Sequence, residues 1–149
     1  MRYVLILLGG LGLLPAGAAA AQETVQSHIR IVKPWVRETS AWRAVLNVTI
    51  ANAGDRADRL VRVATTIAKR VVIADQEGRE GAGLTIPGSA EFVIGSSAPR
   101  IELVGLKKPL AANERFYLLL VFEQAGKVRV DVRVERRPAR GRPAQASKT

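Results

Sequence analysis

Near the end of the chain, Lys127-Val-Arg-Val-Asp-Val-Arg-Val-Glu135 alternates valine with charge without a break. A period of two puts every valine on one side of an extended strand, whereas a helix would scatter them around its axis. Such a strand needs a second apolar layer to cover its valine face, and this constrains the whole chain. The stretch Trp42–Ile50 repeats the pattern. Trp42, Ala44, Leu46, Val48 and Ile50 are predicted to face inward and Arg43, Asn47 and Thr49 outward, until Asn52-Ala-Gly-Asp55 breaks the strand. Leu60–Ala64, Val71–Ala74, Glu91–Ile94, Arg100–Val104 and Phe116–Phe122 are further strand candidates, the last apolar on both faces and so predicted to be central. Trp35 follows Pro34 into a first strand. Turn signals recur at Ile86-Pro-Gly88, Gly95-Ser-Ser97, Lys108-Pro109 and Ala125-Gly126, and no segment holds a helical period for three turns. The expectation is an all-β sandwich forming a single domain.

The two ends read differently. Residues 1–21 have a basic start at Arg2, a short apolar run and then small residues. That is the plan of a secretory signal peptide cleaved near Ala20 or Ala21. Residues 22–28 are expected to form a flexible leader, 29–135 the domain, and 136–149 a disordered basic tail too poor in apolar residues to pack. No later segment is long and apolar enough to span a bilayer as a helix, so the mature chain is expected in the periplasm. It has no cysteine, and its cohesion must come from packing rather than cross-links. The formal charge is +10, and Arg136, Arg137, Arg140, Arg142 and Lys148 lie in a closing segment without an acid. For an exported chain this favours anionic lipid or an envelope polymer over nucleic acid as a partner.

Chemically active side chains are scarce. Met1 is the only methionine and falls within the signal peptide, and His28 is the one imidazole. With no cysteine, one histidine and carboxylates mostly on outward strand positions or turns, an enzyme is not expected. The loop Glu77-Gly-Arg-Glu-Gly-Ala-Gly83 lacks the Lys-Ser/Thr of a phosphate loop and is read as a flexible connection, with Arg79 and Arg100 a weak pair for a small anion.

Five motifs then occur in a telling order: "KPWVRET" (33–39), "TIANAGDRADRLV" (49–61), "LTIPGSAEFVI" (84–94), "VGLKKPL" (104–110) and "VFEQAGKVRVDVRV" (121–134). Together they resemble the PCu(A)C-type periplasmic copper chaperones. The resemblance implies a cupredoxin-like Greek-key sandwich, one bound copper ion and a role in supplying cytochrome c oxidase. It also implies copper ligands: a histidine at the end of the strand "RVVIAD", a methionine on the loop that follows, and a His-x-Met pair ahead of the GLK-PL turn. Here those places hold Ala74 (followed by Asp75), a loop without methionine, and Arg100 and Glu102. Cu(I) favours thioether and imidazole, carboxylate is a hard ligand, and guanidinium has no lone pair to give. No copper cofactor is therefore expected by the family pattern, and the chain reads as a degenerate member serving as a binding or accessory module. Its partners would be a copper-chaperone relative or an oxidase-assembly protein. Two alternatives stay open: a true chaperone using His28, Asp75 and Glu102 or a site shared across a dimer, and an envelope-binding protein acting through Arg136, Arg137, Arg140 and Arg142.

Overall fold

The computed structural model describes residues 28–138; the expected signal peptide, the leader up to residue 27 and the tail from residue 139, including Arg140, Arg142 and Lys148, lie outside the described residues. Nine strands follow one another: β1 (Ile29–Arg37), β2 (Arg43–Asn52), β3 (Asp58–Ala64), β4 (Ala68–Ala74), β5 (Leu84–Ile86), β6 (Ala90–Ile94), β7 (Arg100–Leu106), β8 (Arg115–Phe122) and β9 (Gly126–Glu135). The described residues contain no helix. Hydrogen bonding runs in the order β4-β7-β2-β1-β9-β8-β3-β5, with β6 added to β2. All pairings are antiparallel except β1 with β9, which brings the two halves of the sheet together through Trp35 opposite Arg133 and Val36 opposite Val134. The result is a nearly closed, sandwich-like all-β fold, as the alternation requires.

The two strands with the strongest alternation behave as their sequences demand. Ala44, Leu46, Val48 and Ile50 of β2 and Val130, Val132 and Val134 of β9 are buried in one core with Leu60, Ile101, Leu103, Leu118 and Leu120. The outward positions between them stay wet, which is how a half-buried strand is stabilised. β8 is internal, between β9 and β3, yet it alternates: Phe116, Leu118, Leu120 and Phe122 are buried and Tyr117 is exposed.

Trp42 corrects the sequence reading. It is 73% exposed and not part of the core. Residues 40–42 form a bend, and β2 begins only at Arg43. The Trp42 carbonyl accepts from both the Gly105 amide (2.9 Å) and the Leu106 amide (3.0 Å), which makes a bulge in β7. Gly105 takes φ +72° there, and a β-carbon would meet the Lys69 side chain at 3.0 Å. The bulge shifts the phase of β7, so that Leu103 and Leu106 are both buried although three residues apart.

The sequence motifs are distant in the chain and adjacent in space. Asn52 is buried; its side-chain amide donates to the carbonyls of Arg56 (2.8 Å) and Ile86 (3.4 Å), and its oxygen accepts the Gly54 amide (3.0 Å). Gly88 of the IP-G turn lies so close beneath Asp55 that a β-carbon would be 2.3 Å from its carbonyl oxygen. Asp58, also buried, accepts from the amides of Arg59 (2.7 Å), Gln124 (2.9 Å) and Ala125 (2.8 Å), clamping β3 to the turn between β8 and β9. Thr39 and Leu110 exchange backbone hydrogen bonds at 3.0 and 2.9 Å, which ties the GLK-PL turn to the end of β1.

Candidate functional site

The three strands β4, β7 and β2 lie side by side, and their register fixes which residues share a face. Ala74 pairs with Arg100, Val72 with Glu102, and Val45 with Glu102 on the other side. The inward neighbours Ile73, Ile101, Leu103, Leu46 and Ala44 fill the core, so Ala74, Arg100 and Glu102 lie on the opposite side of the pleat. Positions matched to the copper ligands from sequence alone thus come together on one face. Directly opposed residues of an antiparallel pair have β-carbons about 5 Å apart, close enough for two side chains to share a ligand.

What those positions carry is a charge cluster. Arg100 Nε lies 2.9 Å from Glu102 Oε1, and Arg43 Nη1 lies 3.6 Å from Glu102 Oε2. The Arg100 Nε–H is not aimed at the carboxylate and has no hydrogen-bond acceptor, so the 2.9 Å approach is a charge contact, not a directed bond. Glu102 is the most buried member, its side chain 17% exposed, with a guanidinium at each oxygen. A cation placed against Glu102 would sit about 4 Å from a guanidinium, a repulsion of about 4 kcal/mol at an effective dielectric of 20, reduced where solvent screens it. Ala74 is fully buried and offers no donor atom. The residues present do not fit a soft monovalent metal: one hard oxygen group remains, and it is already engaged.

The loop after β4 has an internal organisation that its glycines conceal. Asp75 Oδ1 accepts from the amides of Glu77 (3.0 Å) and Arg79 (2.8 Å), and Oδ2 accepts Arg79 Nε (2.9 Å). Arg79 also reaches Glu77 at 3.2 Å, and Ala74 bridges to Glu80. Partial burial pushes the Asp75 carboxyl upward, but the Arg79 amide and guanidinium together with the Glu77 amide outweigh it and hold it below the usual aspartate range. The same contacts raise the Arg79 guanidinium. Asp75 is therefore the acceptor that shapes this loop, and Arg79 is committed to it rather than turned toward Arg100.

The weak metal candidates do not converge. His28 precedes the pairing of Ile29 with Asn52 at one end of β2, whereas Glu102 pairs with Val45 seven residues further back. At about 3.3 Å per residue that is a separation of roughly 23 Å along the sheet. His28 instead borders an open groove with Arg30, Asn52, Ser89 and Glu91. Among the described residues no group of three or more His, Cys, Asp or Glu side chains is placed to hold an ion. Arg136 and Arg137 follow β9 and are exposed, and the Arg137 amide donates to Glu38 Oε1 at 2.9 Å. Sequence reasoning passed over the Arg43 contact with Glu102; the register between β2 and β7 was needed to find it.

The fold is that of a PCuAC-type domain. The copper-bound PCuAC domain from PmoF2 superposes with a TM-score of 0.67 at 28% identity, covering 74% of this chain and 94% of that one. The apo PCuAC domain from PmoF1 gives 0.70 at 26% identity, covering 74% and 95%. The Cu(I) form of DR1885 from Deinococcus radiodurans, at 22% identity and a TM-score of 0.61 over 80% and 85% of the two chains, shares the fold. No curated protein sequence matches the chain. The chain belongs to the LpqE-like family, described as one of lipoproteins, whose match spans residues 29–134.

Proposed function

We propose that this is an exported copper-chaperone-like domain that does not hold copper through the positions its relatives use, and that it acts as a binding or accessory module. Its signal peptide would be residues 1–21, and its partner a copper-carrying relative or an oxidase-assembly protein. The observation that carries this reading is Glu102 flanked by Arg43 and Arg100, with Ala74 opposite, on the face matched to the metal. Removing thioether and imidazole while keeping the motifs that build the scaffold leaves the shape for docking and abolishes the soft donor set.

The test is a titration of the purified mature protein with Cu(I) against a competing chelator, and separately with Cu(II). The expected result is no stoichiometric Cu(I) uptake. One-to-one uptake would contradict the proposal, and its loss in His28→Ala would assign the ion to the N-terminal segment instead.

A further inference from the structure

The outer face of β1, β9, β8 and β3 carries no counterpart of the cluster around Glu102, and its composition is one-sided. Register places its residues without ambiguity. Arg133 stands between Trp35 and Arg115, Arg129 opposite Leu119, and Lys127 opposite Val121, which in turn is paired with Arg62. Arg37 lies beside Glu135 at the edge of the same face. Partners in a ladder point to the same side, so Arg37, Arg62, Arg115, Lys127, Arg129 and Arg133 share one surface. The acids interspersed in the ladder of β1, β9, β8 and β3 on that side are Asp131, held by Arg115 at 2.5 Å, and Glu135. Cations therefore outnumber carboxylates about threefold across these four strands. Like charges on neighbouring strands destabilise the sheet that holds them, and a partner of opposite sign would relieve the repulsion.

Two aromatic rings sit within the charges. Tyr117 is 55% exposed, with the Arg129 guanidinium 3.9 Å above its ring, and Arg37 lies 5.7 Å from the ring centre of Trp35. Stacked arginines spread flat rather than extending into water, and amphipathic rings favour the headgroup level of a bilayer. β9 also runs directly into Arg136 and Arg137, so the positive surface continues where the strand ends.

We propose that this face docks the domain on a membrane surface rich in anionic phospholipid, the tail adding to a contact that the folded sheet makes on its own. The inference does not depend on whether copper binds. The breadth of the charge, spread over four neighbouring strands, suits an array of headgroups rather than a single anion.

The test is co-sedimentation of the full-length mature protein with vesicles of phosphatidylcholine alone or containing 30% phosphatidylglycerol, at low and at physiological salt. Binding is expected on the anionic vesicles alone and should fall as salt rises. At about fivefold per charge near the surface, the double reversal Arg129→Glu and Arg133→Glu should lower partitioning by at least about 100-fold. The reversal Lys127→Glu with Arg62→Glu reads the same face should the first variant fail to fold. A full-length variant with Arg136, Arg137, Arg140 and Arg142 replaced by glutamine should retain most of the binding. Unchanged partitioning of the folded face variants would overturn the proposal. So would loss of all binding in the tail variant, or a preference for a soluble polyanion such as duplex DNA over the vesicles.

Discussion

Asp58 offers the sharpest test of how the scaffold is held. Its carboxylate is 6% exposed and receives three backbone amides, from Arg59 at 2.7 Å, Gln124 at 2.9 Å and Ala125 at 2.8 Å. Hydrogen bonds to a charged group contribute about 1.5–3 kcal/mol each, and a buried donor left unpaired costs a similar amount. In Asp58→Ala all three amides lose their acceptor, but all three bonds are only part-buried and water can replace part of what is lost. The expected destabilisation is about 3 kcal/mol, or roughly 12 °C in melting temperature at about 4 °C per kcal/mol for a domain of this size. Asp58→Asn keeps one acceptor oxygen and turns an NH2 group toward a donor, so it should cost about 1–2 kcal/mol. Urea denaturation followed by circular dichroism gives both values as a shift in midpoint with an unchanged slope. Exposed Glu123, next to the same turn, serves as the control, and its alanine variant should stay within about 0.5 kcal/mol of wild type. An Asp58→Asn protein as stable as wild type would refute the clamp.

Trp42→Ala should also change stability by less than about 0.5 kcal/mol in the same denaturation experiment, because the ring is exposed and only the backbone carbonyl ties the bend to β7. For the loop after β4, a depressed Asp75 carboxyl contributes stability above its unfolded value and loses it as pH falls through the lower folded value. NMR titration of the Asp75 carboxyl should therefore give a midpoint below that of an ordinary exposed aspartate, and a midpoint at or above the ordinary one would contradict the Arg79 contacts. Glu114 should behave likewise through Lys108 at 2.9 Å and the Ala111 amide. Restoring soft donors with Ala74→His, Arg100→His and Glu102→Met together should create chelator-resistant Cu(I) uptake absent from wild type, since register already brings the three positions onto one face.

The fold was legible where alternation was unbroken. In β9 and β2 every second residue from Val130 to Val134 and from Ala44 to Ile50 is buried, as a period of two requires. Trp42 has a genuine place in that period, but the strand that would give the period meaning starts one residue later, so the ring stays outside the core. β5, at three residues, is too short to show any period. Asn52 and Asp58 carry hydrophilic side chains that belong inside, and nothing in the alternation marks them; their value comes from a carbonyl 34 residues away for Asn52 and from amides 66 and 67 residues away for Asp58. The candidate face was legible in part. The missing soft donors can be seen in the letters, whereas Arg43 joins Arg100 and Glu102 only through strand pairing. Glycines at 78, 81 and 83 suggested a loose loop, but Asp75 collects two of its amides and a guanidinium.

Anomalous diffraction from a crystal soaked in a cuprous salt addresses the metal question most directly. If Ala74, Arg100 and Glu102 have replaced the soft donor set, the map is flat between β4 and β7. A strong copper peak there, within bonding distance of Glu102, would contradict it.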